Sequence, residues 1–332
     1  MLRLPWFDYR APRTVAEATK ILAGEGPQAM LIAGGTDLLP NMKRRHQTPK
    51  VLVSLRGISS LRGLNGSFGA GLTLTEVVNS AKTPTALRQA AAQVATPHLR
   101  NVGTLGGNLC LDTRCTYYNQ NYEWRQAIDF CLKKDGDTCW VATASKRCVA
   151  VSSTDTAPAL IALDAKVVLE GVSGEREIPV ASLYQNDGID YLSRRPDEVL
   201  KEIRMTQQEY KSTYWKLRRR GSFDFPILGV AVALKFSGDV VEDARVALGA
   251  AASRPFLVEK AGEYLRGKKL TDEVIAEASA MIASRAKPLD NTDMDLYWRK
   301  QVADDFAGYA LRELRGDDMH AIRQRTARFQ PG

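Results

Sequence analysis

Cys110, Cys115, Cys131, Cys139 and Cys148 fall in one stretch of this 332-residue chain, and the rest of it has no cysteine. The gaps between them are four, fifteen, seven and eight residues. No C-x-x-C occurs, so the short knuckle of a zinc ribbon and the usual ferredoxin run are both absent. The intervening sequence is polar and aromatic, with Gly136 and several turn formers. An irregular loop of that length is uncommon in a compact domain unless something holds it. Four thiolates around a metal centre would do so; free buried thiols are the plainer alternative. Zinc and iron–sulfur centres both take four cysteines, so spacing does not choose between them. His46, His98 and His320 all lie outside the stretch, which disfavours a mixed Cys/His site.

Two glycine pairs carry a different chemistry. In Ala33-Gly34-Gly35-Thr36-Asp37 a strand end meets residues that tolerate positive φ and leave backbone N–H groups uncovered, and Thr36 adds a hydroxyl. That is how a diphosphate is cradled. Thr104-Leu105-Gly106-Gly107-Asn108 repeats the device, preceded by Arg100 and Asn101. Each alone reads as a tight turn. As a pair, with Ser152-Ser153-Thr154-Asp155 as a third polar turn, they read as a dinucleotide site. Gly24 to Ala29 spells G-x-G-x-x-A but follows a helix, where the Rossmann turn must follow a strand. Gly262 to Lys269 nearly spells a P-loop, but Lys269 stands where Ser or Thr must bind magnesium. Finally, Lys216-Leu217-Arg218-Arg219-Arg220, followed by Phe223-Asp224-Phe225, places bases at a strand end. They suit a phosphate or a reduced, anionic flavin; a solvated basic edge fits equally well.

The elements that position these groups follow from periodicity. Thr14 to Ala23 is a helix with a Thr14/Glu17 capping box, stopped by Gly24. Met30 to Ile32 and Lys50 to Leu55 are strands, making a small βαβ-like unit. A strand from Gly69, a capped helix from Thr75 and an Ala-rich helix from Pro84 to Ala95 lead to the second glycine turn. After Asp155 come a helix and a strand, and residues 167–204 are mostly strand and turn. Beyond the polar segment near 207–211, strands at STYWKL, PILGVAVALKF and RVALGAA precede helices at 256–266, 271–286 and 295–315. Strands followed by helices indicate an α+β domain.

Composition sets the outer limits. With 44% apolar and 25% charged residues, the chain is neither disordered nor a disulfide miniprotein, and its length predicts about two domains. The net charge of +8 is spread without a block of five or six like charges, and the bases are not interleaved with aromatics over a broad face. No apolar run approaches the ~18 residues of a membrane span, and no signal-peptide core follows the N-terminus. The expected compartment is therefore the cytoplasm, with export as a passenger on a partner the exception.

Taken in order, LIAGGTDLL, RNVGTLGGNL, SSTDTAPAL and KLRRRGSFDFP resemble the FAD-binding medium subunit of the molybdenum hydroxylase (xanthine dehydrogenase) family, over nearly the whole chain. Within it, DTRCTYYNQ, CLKKDGDTCW and SKRC are similar to the insertion in 4-hydroxybenzoyl-CoA reductase β subunits, which carries a 4Fe-4S cluster. The resemblance implies an α+β fold with a two-part FAD-binding domain of the PCMH/CO dehydrogenase flavoprotein type over residues 1–209. Its subdomains span about 1–57 and 58–209, with the cysteine loop at 112–149, and a C-terminal α+β domain covers 210–332. It assigns Cys115, Cys131, Cys139 and Cys148 as cluster ligands and leaves Cys110 unliganded. Ile32, Ala33, Gly34, Gly35, Thr36, Asp37 and Leu38, with Asn101, Thr104, Gly106, Gly107 and Asn108, would line the FAD diphosphate and ribityl chain. Asp155 would hold ribityl or ribose hydroxyls, and Lys216 would lie near the isoalloxazine. The chain departs from the family pattern at Ser54, near which an acid is usual, and has Ser152 and Ser153 where relatives vary.

The role so implied is electron transfer, with no catalytic residue on this chain. A large subunit would hold the molybdenum cofactor and a small one two 2Fe-2S clusters, in a dimer of heterotrimers. A ferredoxin-like protein would give or take electrons at the 4Fe-4S cluster, with no part for nucleic acid or membrane. The expected enzyme is a dehydroxylating 4-hydroxybenzoyl-CoA reductase; the alternative within the family is an aldehyde or N-heterocycle oxidoreductase. A zinc-stapled basic nucleic-acid-binding protein is the rival of another class, and it leaves the paired glycine turns unexplained.

Overall fold

The computed structural model describes residues 3–64, 66–205, 210–221 and 223–328. The expected domain boundary near 207–211 therefore falls largely outside the described residues, as does Ser222 of the basic segment. Strand β1 (Asp8–Arg10) leads into helix α1 (Val15–Glu25). The Thr14 hydroxyl caps it by accepting the Glu17 N–H at 3.1 Å, but the Glu17 carboxylate accepts from Arg13 N, one residue earlier than a capping box requires. The helix also passes Gly24 and ends at Gly26, whose φ is +58°, because a left-handed residue is what terminates a helix. The false Rossmann turn is this helix end plus a 3-10 turn at Gly26–Gln28.

Strands β2 (Ala29–Ile32) and β3 (Val51–Ser54) are joined through helix α2 (Leu38–Lys43). All three strands run parallel in the order β1-β3-β2, with Val51 facing both Asp8 and Ala29. The central strand β3 is buried at every residue. The apolar edge strand β2 is half-buried throughout, so it arrives at the first glycine turn with one side open.

The middle unit comprises β4 (Phe68–Gly69), α3 (Leu74–Asn79), α4 (Thr85–Ala92), α5 (Pro97–Arg100), α6 (Leu105–Leu109), α7 (Tyr122–Ala127), α8 (Thr156–Ala162), β5 (Lys166–Gly171), β6 (Gly174–Pro179) and β7 (Val199–Arg204). Its antiparallel sheet has the order β4-β7-β5-β6. Helix α4 stops at Ala92, short of the expected Ala95, and Thr96-Pro97 starts α5 instead, since proline suits the first turn of a helix and not its interior. The second glycine segment is no turn. It is the short helix α6, because Thr104 caps it by accepting the Gly107 N–H at 3.0 Å.

The C-terminal unit has strands β8 (Lys211–Leu217), β9 (Leu228–Ser237), β10 (Val240–Gly249) and β11 (Phe256–Leu257), antiparallel in the order β11-β10-β9-β8. Helices α9 (Glu259–Leu265), α10 (Asp272–Arg285), α11 (Leu296–Arg315) and α12 (His320–Arg328) follow. Phe256, expected in a helix, sits in β11, while β1 and α12 have no counterpart among the sequence expectations. Gly262 explains the false P-loop: a Cβ there would lie 2.5 Å from the Ala244 carbonyl, so the glycine lets α9 press against β10.

Period-two alternation gives this sheet two buried faces. Val230, Val232 and Leu234 join Ile275, Ile282, Phe306 and Leu311 in the C-terminal core. Ala231 and Ala233, with Tyr214 and Ala247, join Leu87, Ala90 and Leu160 of the middle unit. Small side chains on that face allow α4 and α8 to approach, so one continuous apolar core ties the C-terminal sheet to the middle unit. Among the described residues no helix is long and apolar enough to cross a membrane.

Candidate functional site

The two glycine segments lie against each other. A Cβ on Gly34 would sit 2.2 Å from the Val102 carbonyl oxygen and 2.9 Å from the Gly103 Cα, so only glycine permits the approach. Gly35 has φ +70°, and Gly107 stands 4.0 Å from the Ala33 Cβ by the same measure. Ile32 ends β2, Ala33 to Thr36 form the link, and Asp37 and Leu38 begin α2, all half-buried. Asn101 and Gly107 are exposed, Thr104, Gly106 and Asn108 buried. The side-chain Oδ1 of Asn108 accepts from Thr154 Oγ1 (2.9 Å), Thr156 N (3.1 Å) and Thr156 Oγ1 (2.7 Å), fastening the third polar turn to the second segment. Asn101 instead accepts from Thr75 Oγ1 at 2.6 Å, on the outer side. The result is an open cradle of backbone and small side chains, which suits a diphosphate.

Asp155 and Lys216 meet behind it. Lys216 Nζ donates to Asp155 Oδ2 (2.9 Å), the Gln93 carbonyl (2.9 Å) and the Asp224 carbonyl (2.8 Å), and Asp155 Oδ1 accepts from Tyr214 at 2.8 Å. Both side chains are buried. Burial pushes the Asp155 carboxyl up and the Lys216 ammonium down, and each opposes the other's shift. All three ammonium protons are committed to protein acceptors. The pair joins the third polar turn to β8 and so locks the two halves of the chain together.

Four cysteines of the loop converge. Cys115, Cys131, Cys139 and Cys148 are buried and line one small cavity with Tyr117, Tyr118 and Lys133. None is in a disulfide, and Cys110 does not line this cavity. Burial pushes the Cys115 and Cys148 thiols up to about 11, opposed at Cys115 by backbone hydrogen bonds of Tyr117 and Tyr118. Ala150 N donates to Cys148 Sγ at 3.4 Å. Backbone N–H groups aimed at sulfur suit thiolates that bind metal. Gly188 leaves room for this, since a Cβ there would lie 2.6 Å from Cys148 Sγ. Among the described residues no three His, Cys, Asp or Glu side chains are grouped to hold a single ion.

Several residues that tie these parts together had no sequence signal beyond their neighbours. Lys133 Nζ donates to Asp112 Oδ1 (2.8 Å), Thr113 Oγ1 (2.7 Å) and the Gly188 carbonyl (2.5 Å). Tyr118 donates to Asp112 at 3.1 Å and stacks on His46, ring centroids 4.5 Å apart, and His46 Nε2 bonds the Gln120 carbonyl at 3.1 Å. Burial lowers His46 to about 4. Arg114, one residue before Cys115, forms an ion pair with Asp37 of the first glycine segment and donates to Asn41 Oδ1 at 3.1 Å. Its place beside a cysteine was the one clue available.

A glycine cradle at a parallel edge strand, closed by an α+β domain, defines a flavin-binding redox subunit. The comparisons agree: residues 5–206 match the FAD binding domain in molybdopterin dehydrogenase, and residues 212–314 match the CO dehydrogenase flavoprotein C-terminal domain. The chain belongs to this family, the FAD-binding medium subunits of the molybdenum hydroxylases, and is an oxidoreductase subunit. It is 29% identical to the carbon monoxide dehydrogenase medium chain of Hydrogenophaga pseudoflava, covering 92% of this chain and 96% of the relative. It is 30% identical to the aldehyde oxidoreductase FAD-binding subunit PaoB of Escherichia coli K12, covering 78% and 86%. The solved carbon monoxide dehydrogenase of H. pseudoflava superposes with a TM-score of 0.75 at 26% identity, covering 93% and 97%.

Proposed function

We propose that this chain passes electrons between a 4Fe-4S cluster held by Cys115, Cys131, Cys139 and Cys148 and an FAD held across the two glycine segments. From there they exchange with 2Fe-2S clusters of a partner subunit in a molybdenum-containing enzyme. The observation that carries the reading is the convergence of four buried cysteines on one cavity, in a loop that also clasps Asp37 of the glycine cradle through Arg114. The bound groups supply electron transfer, the flavin exchanging two electrons and the clusters one at a time. The chain's residues do the rest. The glycine segments seat the diphosphate, Asp155 and Lys216 lock the halves around it, and Lys133 pins the loop through Asp112 and Gly188.

For the reaction, the cysteine loop's likeness to 4-hydroxybenzoyl-CoA reductase β subunits supports reductive removal of a phenolic hydroxyl, with a ferredoxin-like donor feeding the 4Fe-4S cluster. Such a subunit works in the cytoplasm, in a dimer of heterotrimers with a molybdenum-cofactor large subunit and a 2Fe-2S small subunit. A second reading rests on the 30% identity to an aldehyde oxidoreductase subunit, and makes the partner's substrate an aldehyde or N-heterocycle. Anaerobic purification of the complex tests both levels. Flavin bands with broad iron–sulfur absorption are expected, and turnover of 4-hydroxybenzoyl-CoA with a reduced low-potential donor. Turnover of aldehydes alone selects the second reading. A colourless, zinc-containing chain overturns both.

A further inference from the structure

Apart from its thiols, the four-cysteine cavity is walled by apolar and aromatic residues, with one exception. Among the described residues that line it, Lys133 is the single cation, and no acid is present. The Lys133 side chain is 7% exposed, and its ammonium is caged. The three protons go to Asp112 Oδ1 (2.8 Å), Thr113 Oγ1 (2.7 Å) and the Gly188 carbonyl (2.5 Å). The rings of Tyr118 and Tyr191 lie 4.8 Å and 5.5 Å from the same nitrogen. A cation enclosed in this way holds one position and is screened far less than a surface charge.

Gly188 brings the ammonium close to one sulfur. Its carbonyl accepts from Lys133, its N–H donates to the Cys148 carbonyl at 2.9 Å, and a Cβ on it would lie 2.6 Å from Cys148 Sγ. Burial pushes the Cys148 thiol up to about 11, and the Lys133 charge opposes that rise. Asp112, the counter-ion, is 6% exposed and stands behind the cavity walls, where it accepts from Tyr118 at 3.1 Å and Gln47 at 3.3 Å. The positive member of the ion pair is thus the nearer to the sulfurs.

We propose that the buried Lys133–Asp112 pair tunes the reduction potential of the cluster held by Cys115, Cys131, Cys139 and Cys148, Lys133 favouring the reduced state and Asp112 opposing it. This rests on the cluster reading above. Reduction takes one electron from the outside donor, makes and breaks no bond, and leaves the thiolate-ligated centre one unit more negative. A fixed positive charge beside it favours that state, and a negative one disfavours it. Neither residue is a ligand; both act by position, in addition to pinning the loop.

The test is an EPR-monitored redox titration of the assembled, anaerobically purified enzyme, with iron content measured alongside. A unit charge roughly 10 Å away, in a medium of effective dielectric ~20, is enough to shift such an equilibrium tenfold. Lys133→Met is expected to disfavour the reduced cluster about tenfold, which lowers its potential by ~59 mV for a one-electron couple. Asp112→Asn, which keeps the shape of the acid, is expected to raise it. The double variant should return toward the wild-type value, while the flavin and the partner subunit's clusters keep their potentials. Asp112→Asn decides the matter if Lys133→Met holds no iron. Wild-type potential in the variants that hold the cluster, shifts of one sign in both, or iron lost from both single variants overturns the proposal alone, because a role confined to pinning the loop gives those results. A wild-type chain that holds no iron–sulfur cluster overturns the cluster reading and the proposal with it.

Discussion

Lys216 on β8 and Asp155 at the head of α8 stand 2.9 Å apart, both buried, and every proton of the lysine ammonium has a protein acceptor. The pair is a clasp between the third polar turn and β8. The Asp224 carbonyl that accepts from Lys216 belongs to a residue on the wall of a neighbouring cavity.

Breaking the clasp from one side strands a buried carboxylate. Lys216→Met should cost about 3–5 kcal/mol, whereas replacing both partners by apolar residues of similar volume should cost far less. Urea or thermal unfolding of the single and double variants measures this. Unchanged stability in Lys216→Met, with an altered flavin spectrum, would return the lysine to a direct ligand role.

Gly34→Ala places a methyl 2.2 Å from the Val102 carbonyl and must separate the two glycine segments. The expected result is a folded chain with most of its FAD lost. Gly24→Ala, whose added methyl has nothing within 4 Å, serves as the control and should keep full flavin. The flavin-to-protein ratio reads the difference.

Cys131→Ser should remove the iron–sulfur absorption while Cys110→Ser leaves iron content at the wild-type level, since Cys110 stands apart from the cavity. Gly188→Ala should also lower iron content, because its methyl would press on Cys148 Sγ, without reducing bound flavin. Equal iron loss at Cys110 and Cys131 would show a different ligand set.

His46 is buried against Tyr118 and held neutral, lowered from 6.5 to about 4 by burial, with Arg125 and Arg44 adding to the shift and the Gln120 carbonyl and Asp112 opposing it. A depressed folded-state value means a stability contribution that is complete above pH 6.5 and lost as pH falls toward 4. The slope from one such group is at most ~1.4 kcal/mol per pH unit. Denaturation midpoints across that window should fall for the wild type and flatten in His46→Phe, which keeps the stack on Tyr118. A parallel slope in both proteins would place the sensitivity elsewhere.

Local patterns were enough for much of the architecture. Short apolar runs marked β3, β8 and β9, and Thr14 and the Ala-rich stretch marked α1 and α4, because each of these signals acts within a few residues. The glycine pairs and the clustered cysteines were legible too, since their residue types have few other uses. What the sequence missed was long-range or depended on backbone sign. Gly24 and Gly26 look alike as letters, but only Gly26 takes the positive φ that ends the helix. Gly106-Gly107 reads as a turn until the Thr104 hydroxyl is seen capping a helix there.

By itself, then, the sequence determined the family, the cradle and the set of thiols, all written in residue type and short spacing. Only the tertiary structure decided what those groups face. It paired Lys216 with Asp155 across 61 residues, brought Arg114 to Asp37 and gathered four cysteines on one cavity. The reason is physical: a buried charge or donor must find its partner wherever the packed core places one, and that position is a property of the whole fold.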